Sequence, residues 1–219
     1  MNEKKHDNYY LEYICMLVIT AIICSISFII YKLPTLIMMI SFIVIIAATV
    51  LLWLRKLTKK NLYFNDVLNL LLPNIIALFF VSNLIKSKSG IIGFMLGVAI
   101  MDVFSFTKRG KNTLNAKLVG NINTMARLSI CLPIPGKPGL QQIIGVGDLF
   151  YYSMMTMYYI HFAGASAGLK TALIIFIGQL VNIVSIVLLK RIQKSRYKGF
   201  PATLFPCVFV IIGDCLHII

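Results

Sequence analysis

Long apolar runs separated by short polar connections constrain this chain more than any other feature. A helix that crosses a bilayer needs about 20 mostly apolar residues. Apolar residues make up 59% of the 219-residue chain and charged residues only 13%, which excludes an ordinary soluble domain. The sequence therefore predicts an all-α, polytopic transmembrane helix bundle with about seven spans. They cover residues 14–31, 35–54, 66–85, 90–106, 141–162, 168–189 and 201–219.

The basic residues predict how these spans are oriented. Lysine and arginine are enriched in the cytoplasmic loops of membrane proteins. With seven spans, the N-terminal segment and the second, fourth and sixth loops lie on one side and hold 17 of the 21 Lys and Arg residues. The N-terminus is therefore predicted inside and the C-terminus outside. Topology and anchoring to anionic headgroups of the lipid bilayer then account for the net charge of +14 without a ligand.

Two function classes are disfavoured by the same composition. Nucleic-acid binders concentrate their bases on a folded soluble face, whereas these bases lie in short segments between apolar runs, so no nucleic-acid partner is expected. The five cysteines form no CxxC pair, and four of them lie inside apolar runs. They predict neither a disulfide framework nor a zinc site, and we expect no cofactor or metal.

One connection, residues 107–140, is much longer than the others. Its first part carries apolar residues at spacings of 4, 4 and 3, which is typical of an amphipathic helix on the membrane or protein surface. These residues are Leu114, Leu118, Ile122 and Met125. Three prolines between residues 133 and 138 predict an extended or turning chain just before the fifth span.

Acids are scarce, and three of the seven lie inside apolar sequence: Asp102, Asp148 and Asp214. Near the centre of a membrane helix each costs about 2.5–3.5 kcal/mol on insertion scales, so such residues are functional candidates. The alternative is a structural carboxyl that other polar groups satisfy inside the bundle. Asp66, in contrast, begins the third predicted span, where a carboxylate favours the helix N-terminus.

The positions of Asp102 and Asp148 predict that the two carboxyls meet. Asp102 lies near the inner end of the fourth span and Asp148 about two turns into the fifth, so adjacent antiparallel helices would bring them to one level. Two carboxyls in a poorly hydrated site share a proton. One then acts as general base toward water and the other as general acid on a peptide carbonyl, which is aspartyl-protease chemistry. Gly145 and Gly147, just before Asp148, permit a close backbone approach and an opening at the helix start.

Two strings around these aspartates resemble the presenilin and signal peptide peptidase family of intramembrane aspartyl proteases. Asp102 lies in MDVFSF, which is similar to the family's first catalytic motif, with Met101 in place of the usual Tyr. Asp148 lies in GVGDLFYYS, which resembles the second, GxGD motif, including its apolar-aromatic continuation. The resemblance implies that Asp102 and Asp148 form the catalytic pair and that Gly145 and Gly147 shape the site.

A third string, GFPATLFP, is similar to the family's Pro-Ala-Leu motif at the start of the last span. Pro201 and Ala202 match, Thr203 replaces Leu, and Leu204 follows one place later. The resemblance implies that this segment forms a loop beside the aspartates that helps to receive substrate. It extends from about residue 90 to the end and makes 87–219 the four-span catalytic core, after three N-terminal spans in 1–86. Because the family typically has nine spans, the chain resembles a member shortened by two.

The resemblance also implies that a transmembrane protein substrate unwinds and that its extended backbone pairs with strand-forming enzyme segments. Ile130 to Ile134, including Leu132, is short, apolar and close to Asp148, so we predict that it offers an edge for strand addition. The predicted topology resembles the presenilin arrangement, for which substrates would have their N-terminus outside. The expected location is multi-pass in the plasma membrane of a prokaryote, or otherwise in an internal membrane; any partner subunits are unknown.

Other polar residues and other functions remain alternatives. Gln179 and Asn182 are interpreted as interhelical hydrogen-bonding residues. Asp214 and His217 are suitably spaced to hold a metal or a proton, although anchoring at the interface is the preferred interpretation. A prepilin-type peptidase also uses a GxGD aspartate, but its usual neighbouring Lys and Ile-Pro elements are missing here. A proton- or cation-coupled transporter, or a proteolytically inactive scaffold, is the alternative outside enzymes.

Overall fold

A computed structural model describes residues 9–56, 58–105, 107, 121–193 and 200–219. These parts of the chain form a helical bundle with one β-hairpin. The elements in chain order are α1 (Tyr9–Tyr31), α2 (Thr35–Leu54), α3 (Lys59–Asn83), α4 (Lys88–Ser105), α5 (Ile122–Arg127), β1 (Ser129–Pro133), β2 (Leu140–Gly145), α6 (Val146–Ala163), α7 (Ala165–Gln193) and α8 (Leu204–Cys215).

Five of these helices, α1 to α4 and α7, are long and apolar enough to cross a membrane. The other two predicted spans differ. Helix α6 has 18 residues but includes four tyrosines, one serine and one threonine, and most of its residues are buried inside the bundle. Helix α8 has only 12 residues, so it extends about 18 Å, whereas the hydrocarbon core is about 30 Å thick. The count of seven spans remains a prediction.

The boundaries of two predicted spans are wrong for identifiable reasons. The third span begins seven residues early, because the Thr58 side chain caps the helix by accepting a hydrogen bond from the Asn61 amide at 3.2 Å. Asp66 therefore lies two turns inside α3 rather than at its N-terminus. The fifth predicted span, 141–162, is part strand and part helix, because its first residues form β2.

The described residues are mostly helical, as an all-α bundle requires, and the hairpin is a feature that the sequence did not predict. β1 and β2 pair antiparallel, with a bulge in the register after Ile130. The turn between them contains Gly136 and Gly139, whose φ angles of 84° and 73° suit glycine. The Lys137 amide donates to the carbonyl of Ile134 at 3.0 Å and closes the turn. The Pro-rich segment therefore connects two strands, whereas the sequence predicted that it leads directly into the fifth membrane-spanning helix.

Helix α6 lies at the centre of the bundle. It packs against α3, α7 and α1, and a continuous stretch from Tyr151 to Ile160 is buried. The boundary predicted between residues 86 and 87 falls at the turn from α3 to α4. Because α3 packs most extensively against α6, residues on the two sides of that boundary belong to one bundle.

Contacts between helix ends agree with the predicted alternation of the chain. The Arg127 guanidinium donates to the carbonyls of Leu52 and Arg55, at 2.8 and 2.7 Å, and so joins α5 to the end of α2. Lys137 of the hairpin pairs with Glu12 at the start of α1, at 2.8 Å. The hairpin therefore lies at the same end of the bundle as the start of α1 and the end of α2. Which end faces the cytoplasm remains a prediction.

The predicted amphipathic helix is only partly within the described residues. Leu114 and Leu118 lie outside them. The described portion is α5, whose N-terminus is capped by the Asn121 side chain, which accepts from the Thr124 amide at 3.1 Å. Met125 of α5 is half-buried, as expected for a residue on the apolar side of such a helix.

Candidate active site

The structure brings the two predicted catalytic aspartates together. Asp102 lies one turn before the end of α4, and Asp148 lies in the first turn of α6, because β2 takes up the residues that precede Gly145. The two carboxyls are close enough to interact electrostatically. Both residues are half-buried. Two carboxyls that interact in a site with little water favour sharing of a proton.

Asp102 is held by the segment before α8. The hydroxyl of Thr203 donates to Oδ2 of Asp102 at 2.9 Å, and the Thr203 amide points at the same oxygen from 3.4 Å. Thr203 is buried and stands at the N-cap of α8. Pro201 before it is also buried, and Leu204 after it is half-buried. The residue that departs from the family's Pro-Ala-Leu motif is thus the one that contacts the aspartate.

Gly145 and Gly147 differ in their surroundings. A Cβ atom at Gly145 would lie 3.2 Å from Oδ2 of Asp148, so the absence of a side chain lets this carboxyl lie against the backbone. A Cβ atom at Gly147 would meet no heavy atom within 4 Å in the described part of the chain. The close neighbour of Gly145 is thus a carboxyl, and the nearest backbone atom of another segment, the Leu128 carbonyl oxygen, would lie 4.0 Å from the added Cβ.

A buried polar network holds the carbonyl of Ala202. The Tyr152 hydroxyl lies 3.1 Å from this carbonyl oxygen and 2.8 Å from Oε1 of Gln179. The Asn182 amide donates to the same carbonyl, and it also donates to Oε1 of Gln179 at 3.1 Å. Tyr152, Gln179 and Asn182 are fully buried. Through Ala202 and Thr203, this network connects α6 and α7 to Asp102.

Sequence reasoning identified Gln179 and Asn182 as hydrogen-bonding residues but missed their place in the site. Their spacing of three puts both side chains on one face of α7. That spacing, inside an otherwise apolar helix, is a signal for a shared partner. Gln179 makes the expected interhelical bond, to the Tyr152 hydroxyl of α6, and Asn182 donates to a backbone carbonyl of the loop before α8.

Helices α7 and α8 approach closely beside this network. A Cβ atom at Gly178 would lie 2.6 Å from Cα and 2.7 Å from N of Pro206. No side chain larger than hydrogen fits there without a shift of backbone. The contact fixes the first turn of α8, and with it Thr203, relative to Gln179 and Asn182.

Side chains of α3 occupy the outer edge of β1. The Asn69 side chain donates to the carbonyl of Ser129 at 3.0 Å, and the Cys131 amide donates to Oδ1 of Asp66 at 2.9 Å. Ile130 is buried and Leu132 is half-buried. The prediction that Ile130 to Ile134 offers an open edge is therefore wrong, because α3 satisfies it. In the described residues the sheet has two strands, so its remaining edge is β2.

Asp214 has a partner other than a metal. Its Oδ2 lies 2.9 Å from Nζ of Lys88 at the start of α4. Within the described ranges, no group of three or more His, Cys, Asp or Glu side chains is arranged to hold a metal ion. The arrangement around Asp102 and Asp148 is thus a pair of carboxyls with hydrogen-bond donors, suited to general acid and base chemistry.

No protein-family model, curated protein or solved structure matches this chain. The resemblance to presenilin-type proteases therefore depends on the three motifs and on the way their residues converge in space.

Proposed function

We propose that the protein is an intramembrane aspartyl endopeptidase of the presenilin type that hydrolyses peptide bonds of transmembrane substrates. The observation that carries the proposal is the convergence of Asp102 and Asp148 from two different helices, with Thr203 of the third motif bonded to one of them. The motifs are 46 residues or more apart in the sequence. Their meeting at one point is expected for a catalytic site, and helix packing alone does not require it.

The chemistry follows from two carboxyls that hold one proton between them. The ionised carboxyl takes a proton from water, and the resulting hydroxide adds to the carbonyl carbon of the peptide. The protonated carboxyl gives its proton to the carbonyl oxygen, which produces a neutral gem-diol. The aspartate that took the proton from water then gives it to the amide nitrogen, and the other aspartate, now ionised, takes a proton from one hydroxyl of the gem-diol. The C–N bond breaks, a carboxylic acid and an amine leave, and the two aspartates again hold one proton between them. No cofactor or metal is needed for these steps.

The hairpin supports a specific way of presenting the substrate. Peptide bonds in a membrane helix are hydrogen-bonded and shielded, so the cleaved segment must unwind. An extended segment satisfies its backbone by pairing with a strand edge. β2 has such an edge and runs directly into Asp148 through Gly145. We therefore expect the scissile bond to lie next to the end of β2. The resemblance to the presenilin arrangement implies, in addition, that the substrate's N-terminus lies outside.

The proposal is tested with purified protein in detergent or liposomes and a single-span substrate peptide. The Asp102→Asn and Asp148→Asn variants should each lower the cleavage rate by about 10²–10⁴-fold, the usual contribution of a general acid or base. Lys170→Gln is the control, since it removes the charge of an exposed side chain on α7 that has no part in the proposed site. Its rate should equal that of the unmodified protein.

Two outcomes would overturn the proposal. One is product formation that persists in both aspartate variants, and the other is the absence of cleavage with several unrelated single-span substrates. A peptide mimic with a hydroxyl at the position of the attacked carbonyl should inhibit the enzyme. A transporter or an inactive scaffold would be insensitive to that compound.

A further inference from the structure

Asp214, the third acid within apolar sequence, has no part in the proposed chemistry and is still the most buried of the three. Its exposed fraction is 4%, and it lies one residue before the end of α8. Its partner Lys88 is the first residue of α4, and the Lys88 side chain is 56% exposed. The hydroxyl of Tyr159 on α6 lies near the same carboxylate. Burial of a carboxylate raises the free energy of the folded protein, so the presence of this ion pair needs an explanation.

Helix α4 has little else to hold it in place. Its buried residues are Ile91, Met95 and Ala99, a single narrow stripe at spacings of four. It packs mainly against α8 and to a smaller extent against α6. In a bilayer, lipid tails are as apolar as leucine, so apolar faces alone give no hydrophobic drive for helix association. Polar contacts therefore have a large share in fixing the position of this helix.

Among the described residues, polar contacts to other helices are found at the start, the middle and the end of α4. The Lys88–Asp214 ion pair holds its start, and the Tyr151 hydroxyl donates to the carbonyl of Met95 at 2.9 Å near its middle. The bond from Thr203 to Asp102 lies near its end. Two of the three partners, Asp214 and Thr203, belong to α8 or its N-cap. Helix α8 and its N-cap residue thus contact both ends of α4.

We propose that Lys88 and Asp214 are positioning residues that set the tilt of α4 and thereby the separation of Asp102 from Asp148. The inference rests on the proposed function. Fourteen residues separate Lys88 from Asp102, which is about 21 Å along a helix. Over that length, a tilt of about 3° displaces Asp102 by about 1 Å, and a misplacement of this size can lower a rate by about 10²-fold.

The test is a comparison of Lys88→Met with two matched variants. Lys88→Met should lower kcat by about tenfold to a hundredfold and leave KM nearly unchanged. Lys88→Arg keeps the charge and should retain most of the activity. Lys86→Met removes a base two residues earlier, for which the described residues offer no ion-pair partner, and should have no effect. The double variant Lys88→Met/Asp214→Asn should be no worse than Lys88→Met, because the two residues act as one unit.

A distance measurement keeps the inference separate from the protease proposal. Spin labels at the exposed positions Ile100 on α4 and Val208 on α8 report the separation of the two helices. Cys15 and Cys215, the two cysteines that are not buried, are first replaced by Ser. Lys88→Met should broaden or lengthen the distance distribution, and the Lys86 control should not. This readout remains informative even if the protein cleaves no peptide.

Several results would overturn the inference. Unchanged distances in Lys88→Met would show that the ion pair does not position α4. A rise in KM with constant kcat would indicate that the pair binds substrate instead. Equal losses in the Lys86 and Lys88 variants would indicate a general effect of surface charge. If Lys88→Met does not fold, the comparison of Lys88→Arg with the double variant decides the question, and equal kcat in those two would reject it.

Discussion

A single added methyl group at Gly178 should disable the site from a distance. Gly178 lies on α7, in the same turn as Gln179, and packs against the backbone of Pro206 in α8. Three residues before Pro206 is Thr203, which holds Asp102. The Gly178→Ala substitution leaves every polar group of the site intact. Any loss of activity must therefore come from displacement of α8.

The size of the displacement follows from the contact distances. An added Cβ atom would lie 2.6 Å from Cα of Pro206, whereas non-bonded carbon atoms prefer about 3.5–4.0 Å. The first turn of α8 must move by about 1 Å, since both partners are backbone. Overpacking of this kind costs about 1–3 kcal/mol of stability. A shift of about 1 Å at Thr203 can lower the rate by about 10²-fold.

The assay compares kcat and thermal unfolding for three glycine-to-alanine variants. Gly97→Ala lies on α4, the helix that carries Asp102, and its Cβ would meet no described atom within 4 Å. Gly213→Ala lies on α8, and its Cβ would be 2.7 Å from the flexible end of the Ile174 side chain, which can rotate away. Both controls should retain activity within about twofold. Gly178→Ala with unmodified activity, or Gly97→Ala with an equal loss, would refute the reasoning.

Two other predictions use matched pairs of variants, and a third compares two native cysteines. Thr203→Val removes the hydroxyl that donates to the Asp102 carboxylate, a bond worth about 1.5–3 kcal/mol, and should lower kcat about tenfold or more. Thr203→Ser keeps a hydroxyl and should keep the rate. Equal rates for the two variants would contradict the role of this bond. Gly145→Ala should reduce cleavage because its methyl group meets the nearby carboxylate at 3.2 Å, while Gly147→Ala should be neutral, and the reverse order would contradict the geometry. Burial raises the pKa of the Cys131 thiol to about 11, so a maleimide at pH 8 should label exposed Cys215 and spare Cys131. Mass spectrometry of the labelled protein identifies the modified cysteine, and labelling of Cys131 in preference to Cys215 would contradict the prediction.

The sequence predicts the long helices and the aspartate pair well for a clear reason. A run of about 20 apolar residues has one structure available in lipid, so α1, α2, α4 and α7 lie close to where the apolar runs place them. The approach of Asp102 to Asp148 follows from the order of the spans and the short distance of each aspartate from the same loop. Neither inference needs knowledge of side-chain packing.

The hairpin and the length of α8 were beyond such reasoning. A short apolar run rich in isoleucine, such as the start of 141–162, has the same hydropathy in a strand as in a helix. The strand forms because Asp66 and Asn69 on α3 satisfy the outer edge of β1, and that contact joins residues about 60 positions apart. Periodicity within a segment carries no information about a partner at that separation. The same holds for the bond from Asn182 to the Ala202 carbonyl.

Both differences have one physical origin, the presence of irregular backbone at a buried site. In the proposed protease, an unwound substrate would pair with a strand edge beside Asp148 and meet a loop beside Asp102, and neither segment is helical. Backbone groups that leave a helix in a water-poor interior must find other partners. Asn69 supplies one to β1, and Asn182 supplies one to the loop before α8. The polar residues of α3 and α7 therefore have a common role, which is to supply hydrogen-bond partners to the non-helical backbone around Asp102 and Asp148.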